Sequence, residues 1–141
     1  AGLAAPRVTT SAGTVENSAR RFPTFLSLAA KALKMNAPLD YPDGGATLNP
    51  DWVAGMFMLF RSELFREIGG FDERYFMYYE DVELCARMKL NGYSVALCPD
   101  AKVIHHARRS SHRSFKFMRW HLASMLRFFL SISFFRLCWK S

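Results

Sequence analysis

The residues best suited to chemistry lie in one stretch, FDERYFMYYEDVELC (71–85), which sets Asp72, Glu73, Glu80, Asp81 and Glu83 beside a wall of aromatic side chains. Glu80, Asp81 and Glu83 fall at the expected start of a helix, where free amides and the helix dipole favour negative charge by about 0.3–1 kcal/mol per group. Such acids can act as plain N-terminal caps. One of them, held ionised by the same helix end, can also remove a proton from an incoming hydroxyl, and the two roles are compatible. Downstream, His105 and His106 close an apolar run and precede a basic segment. Neutral imidazole is a common ligand for divalent metals. Adjacent strand residues point to opposite faces, so only one of the pair can face a cleft on a given side, and spacing from Asp81 favours His105. A surface pair at a strand end is the plain alternative.

These residues need elements to position them. A helix is expected from Glu80 to Asn91, with Val82, Cys85 and Lys89 on one side, Leu84 and Met88 on an adjacent one, and Gly92 at its end. Upstream, WVAGMFMLF (52–60) reads as a strand buried on both faces. Ser62 is placed to cap the helix SELFREI, and Gly69 and Gly70 supply the positive φ angles that end it. YSVALC and AKVIHH read as two short strands separated by Pro99 and Asp100. Nearer the start, RVTTSAGTVENS (7–18) suggests a hairpin or irregular strand pair around Gly13, and FLSLAAKALKM (25–35) has helical spacing. Residues 36–51, rich in Pro, Asp, Gly and Asn, read as a binding loop or lid, residues 107–114 as a basic loop, and 115–137 as one long aromatic-rich helix.

A chain of 141 residues, half of them apolar, holds one α/β domain and is too hydrophobic to be a disordered tail. Its net charge of +7 is unevenly spread: residues 1–101 carry ten basic and twelve acidic groups, whereas residues 102–141 carry nine basic groups and no acid. Any anionic partner therefore meets the C-terminal end. Three cysteines without a C-x-x-C pair argue against a disulfide framework or a structural zinc site and for a reducing, cytoplasmic setting. The apolar stretch 122–139 is interrupted by Arg127 and Arg136, too polar for a confident spanning helix. It suits an amphipathic helix lying on an anionic membrane surface, hence peripheral attachment on the inner face. Packing against protein, including a homo-oligomer contact, is the competing use. A nucleic-acid-binding or interaction module without catalysis accounts for the basic end and leaves the acidic, aromatic segment unused.

Residues 52–106 resemble the C-terminal half of the catalytic domain of glycosyltransferase family two, in its bacterial rhamnosyltransferase-like branch. The likeness rests on a Trp-x-x-Gly strand (Trp52, Gly55), a Gly-Gly-Phe-Asp-Glu turn (69–73), the segment FMYYEDVEL (76–84) and the terminal His105-His106. Glu83 stands where the branch has a second Asp. The resemblance implies a partial GT-A fold, Rossmann-like, with residues 1–114 as the C-terminal acceptor half of the catalytic domain and 115–141 as a basic, aromatic-rich helix. It also implies inverting transfer of a sugar such as rhamnose from a nucleotide-sugar donor to a cell-surface glycan or lipid-linked acceptor, with a divalent metal, Mg or Mn. Carried over by position, Asp81 is similar to the family's base, with Glu80 as its neighbour, and His105 to a metal ligand. Trp52 and Gly55 lie beside acceptor and donor sugar, and a missing side chain at Gly55 lets the sugar approach the backbone. Asp72 and Glu73 belong to a structural turn. Arg108 and Arg109 follow His105 closely enough to close over a diphosphate. The family's metal-binding Asp-x-Asp does not occur in these residues. The resemblance thus places the nucleotide-binding half upstream of Ala1, and the residues in hand are expected to be inactive alone.

Overall fold

The structure, a computed structural model, describes residues 1–33, 40–41, 46–106 and 115–140. Strand β1 (Leu3–Thr9) is the centre of a three-stranded sheet. It pairs in parallel with β5 (Val95–Ile104) and antiparallel with the short β4 (Leu59–Phe60). Leu3, Ala5 and Val8 bury their side chains in the core. The two strands expected over 93–106 are one strand, β5, whose register with β1 slips: Cys98 faces Pro6, and Lys102 faces Arg7. Pro6 has no N–H to offer the ladder, so the three residues 99–101 of β5 stand out of register and pairing resumes beyond them.

The turn expected around Gly13 is present, with Thr10 N–H donating to Thr14 O and Gly13 at φ +80°. Its arms do not make an extended hairpin. β1 takes β5 as its main partner, while β2 (Ala19–Arg20) pairs antiparallel with β3 (Trp52–Val53) in a second sheet.

The single buried strand expected over 52–60 is two, β3 and β4, in different sheets. Between them the Ala54 N–H donates to Ser18 O and the Gly55 N–H to the Asp81 carboxylate, which draws the backbone out of line. Phe57 and Leu59 emerge exposed as a result.

Helix α1 spans Phe25–Ala32, and most of the expected loop 36–51 lies outside the described residues. Helix α2 (Ser62–Glu67) begins differently from expectation: Arg61 occupies the cap position without a side-chain cap bond, and Ser62 is already helical. The Arg61 N–H donates to Gly2 O, extending the β4 pairing and pushing Ser62 into the first turn. Gly69 (φ +82°) and Gly70 (φ +64°) end the helix as their freedom from a Cβ permits.

Helix α3 (Glu80–Leu90) buries Val82, Leu84, Cys85, Ala86 and Met88, and ends at Asn91 and Gly92. The long helix expected from 115 is a bent pair, α4 (Phe115–Phe129) and α5 (Ile132–Lys140), with 52° between them. Ser131 starts the second, its Oγ accepting from the Phe134 N–H. The bend folds three rings together: Phe134 lies 5.6 Å from Phe128 and 4.7 Å from Phe129, and all three are buried.

Candidate active site

Asp81 is the second residue of α3 and is anchored by two backbone amides. Its Oδ1 accepts from the Val82 N–H at 2.8 Å and its Oδ2 from the Gly55 N–H at 2.8 Å. Burial pushes its carboxyl above the ordinary carboxylate range; the Gly55 and Val82 amides and the charge of Arg20 oppose that rise. A half-buried, amide-oriented carboxylate of raised basicity is a fitting acceptor for a hydroxyl proton.

The other two acids of the first turn point elsewhere. Glu80 is half-buried, and its Oε2 is enclosed with no hydrogen-bond partner among the described residues. Burial raises its carboxyl, its own backbone amide opposes this, and the neighbouring Asp81 adds to it. Glu83 is buried and faces away, gripping Arg87 Nε at 2.9 and 2.8 Å and accepting from Ser133 Oγ at 3.2 Å. Arg87 in turn donates to the carbonyls of Ile68 and Gly70, which ties α3 to the end of α2.

The turn that presents these acids is strained. Tyr78 (φ +66°) and Tyr79 (φ +64°) are both left-handed, a conformation costing of order 1–3 kcal/mol for a residue other than glycine. Helix α4 holds them there. His121 packs edge-on against both rings, at 5.0 and 5.6 Å, Tyr79 lies 5.7 Å from Phe128, and Ser124 Oγ donates to Met77 O at 2.7 Å. Sequence reasoning missed this clamp. The usual signal for left-handed backbone is Gly or Asn, and paired tyrosines give none.

Trp52 opens β3, three residues before Gly55. It is buried, its Nε1 donates to Arg21 O at 2.8 Å, and the Arg20 guanidinium lies 5.3 Å from its ring centre. A Cβ added to Gly55 would meet Asp81 Oδ2 at 3.6 Å, so the glycine leaves open space directly against the carboxylate. Asp72 is held by Arg74 (2.7 Å), whose hydrogen bond keeps its carboxyl below the usual range, and Glu73 is exposed. Cys85 is buried, its thiol pushed up to about 12, which removes it as a nucleophile near neutral pH.

His105 lies just past the end of β5, its N–H donating to Thr9 O at the end of β1. It is half-buried, its Nδ1 enclosed with no partner among the described residues, whereas His106 is exposed. This is the carboxyl end of a parallel strand pair, where open α/β sheets bind ligands. A run of backbone bonds joins it to the Asp81 side: Glu16 N–H to Val8 O, Ser18 N–H to Glu16 O, Ala54 N–H to Ser18 O, then Gly55 N–H to Asp81. Arg108 and Arg109 lie outside the described residues. Among the described residues no group of three or more His, Cys, Asp or Glu side chains could hold a metal ion. His105 is therefore not part of a complete metal centre among the described residues.

The family model described as glycosyltransferase-like family 2 matches residues 6–123, from β1 into α4. The chain belongs to this family. As a member of glycosyltransferase family 2, it is also similar to rhamnosyltransferase WbbL of Escherichia coli K12, 44% identical over 79 residues that make up 55% of this chain and 30% of that protein. It is 45% identical over 62 residues to an N-acetylglucosaminyl-diphospho-decaprenol L-rhamnosyltransferase of Mycobacterium tuberculosis, covering 44% of this chain and 20% of the relative. A more distant similarity, 33% over 75 residues, links it to the O-antigen biosynthesis protein RfbC of Myxococcus xanthus. The matches to these three relatives thus cover at most 30% of each relative's length. The mixed α/β architecture agrees with a partial family 2 domain.

Proposed function

We propose that the chain supplies the acceptor side of an inverting, metal-dependent glycosyltransferase. It transfers a sugar, rhamnose by the names of its relatives, from a nucleotide-sugar donor to a glycan or lipid-linked acceptor on the cytoplasmic side of a membrane. One observation carries the reading: Asp81, of raised basicity, sits against the open space at Gly55 with both oxygens oriented by amides. The acceptor hydroxyl would lie against Gly55 and give its proton to Asp81 as its oxygen bonds to the anomeric carbon, while the bond from that carbon to the diphosphate breaks on the opposite face. Trp52 would wall the sugar, and burial together with the neighbouring Asp81, by raising the Glu80 carboxyl, would help keep Glu80 protonated beside the base. Arg108 and Arg109 would meet the diphosphate. A bound Mg or Mn would neutralise the leaving diphosphate, with His105 Nδ1 as one of its ligands.

The reading is tested, in a protein carrying these residues together with a nucleotide-binding half, by transfer from nucleotide-activated deoxyhexoses to a lipid-linked acceptor. The acid limb of the pH profile should lie above the ordinary aspartate value of 3.8, because the base works only when ionised and burial raises its pKa. A limb at or below that value would remove Asp81 from the role.

Two substitutions probe the surroundings. Gly55→Ala should fold normally, since the new methyl makes only ordinary contacts, yet it should displace the acceptor from Asp81 and lower turnover by roughly 10²-fold, the scale of a 1 Å misplacement. Unchanged kinetics would place the acceptor elsewhere. His105→Ala should raise the metal concentration needed for half-maximal activity by about 10–100-fold, and the exposed His106→Ala should do much less. Equal effects would reverse the assignment.

A further inference from the structure

Helix α4 has two working faces. The inner one, His121, Ser124 and Phe128, holds the strained turn 76–79 ahead of Glu80 and Asp81, and Ser124 is only 6% exposed. The outer one is apolar and uncovered: Phe115 (91% exposed), Leu122 and Leu126 recur at helical spacing, and Ile132, Phe135 and Trp139 (92%) continue it along α5. Lys116, Arg119 and Arg136 accompany this face, Arg127 turns inward over the Tyr75 ring, and neither helix contains an acid.

We infer that the outer face of α4 and α5 is a docking surface for an anionic lipid bilayer, on which the pair lies in the plane of the headgroups. Charge selects this occupant. The nine basic groups from residue 102 onward, without one acid, would repel a second copy of the same face and attract an anionic surface. The inner faces exclude a spanning arrangement. No single described helix is long and apolar enough to cross a membrane, and using the bent pair together would tear Ser124 from Met77, Ser133 from Glu83, and Phe128 and Phe134 from the core. Lying flat keeps every one of these contacts. On the sugar-transfer reading, the arrangement also sets the turn before Asp81 about one helix diameter, ~10–12 Å, above the headgroups, within reach of a lipid-linked hydroxyl.

The test is co-sedimentation of the chain with vesicles of phosphatidylcholine carrying increasing phosphatidylglycerol, at low and high salt, with circular dichroism as the control for folding. Binding should rise with anionic lipid and fall with salt. Arg119→Glu with Arg136→Glu should weaken it by about 25-fold or more, taking about fivefold per basic residue near the surface. Leu122→Asp with Leu126→Asp, both exposed, should weaken it by at least about tenfold. Trp139→Phe should abolish most of the tryptophan emission shift on adding vesicles, a readout independent of the charge variants. Equal binding to neutral vesicles, or wild-type binding by the leucine variant, would overturn the inference. So would lipid-independent dimerisation abolished by that variant, which would make the face a contact between copies. The assay reads lipid binding alone, so its failure leaves the sugar-transfer reading standing.

Discussion

In a protein carrying these residues together with a nucleotide-binding half, Asp81→Asn should leave the fold intact and lower sugar transfer by about 10²–10⁴-fold, the range for loss of a general base. The side chain keeps its shape. Its remaining carbonyl can satisfy one of the two amides, Gly55 or Val82, while the new NH₂ faces the other donor, a local cost of about 1–3 kcal/mol. Removing the charge offsets part of it, since partial burial already disfavours the ionised form. Folding and turnover should therefore separate in this variant. The measurement is kcat with saturating donor and acceptor, beside a thermal melt. Turnover within a few-fold of wild type in a folded Asp81→Asn protein would sink the assignment. Glu80→Gln is the control: Glu80 lacks the anchoring amide from Gly55, so its loss should be milder.

Glu83→Ala should act on stability, lowering it by about 3–5 kcal/mol, the cost of stripping one partner from a buried ion pair. The Glu83 side chain is 6% exposed and that of Arg87 22%, so solvent replaces the lost carboxylate only in part. Arg87 also holds the Ile68 and Gly70 carbonyls, and Ser133 of α5 bonds to the same carboxylate. One substitution thus loosens α2, α3 and α5 together. Chemical denaturation of the purified variant measures this directly, and a loss under about 1 kcal/mol, the scale of an exposed pair, would show that the hub contributes little. Glu83 reaches Arg87 with both carboxylate oxygens.

Much of the site was legible because it is local. The Glu-Asp pair, the helix over 80–90 and the glycines at 69, 70 and 92 are read from spacing and from backbone angles that only a few residue types tolerate. The family likeness over 52–106 was legible for the same reason, as motifs in fixed order. What three adjacent acids do was not. Asp81, Glu80 and Glu83 share one helix turn, and only the packing of β3 on one side and of Arg87 and α5 on the other sends them to different partners.

The remaining differences are all long-range. A continuous apolar run cannot reveal that 52–60 divides between two sheets, because the bond that turns it aside joins Gly55 to Asp81, which follows the run in sequence. Pairing of β1 with β5 across most of the chain, and the slip opposite Pro6, leave no trace in either segment alone. The bend between α4 and α5 depends on Phe128, Phe129 and Phe134 closing over one another and on Ser131 starting a new helix, where helical periodicity by itself runs straight through. Sequence alone determined the elements and the kinds of groups available, since propensity and capping act within a few residues. Tertiary structure decided which groups face one another, because that choice is made by burial and hydrogen bonding between segments brought together only on folding.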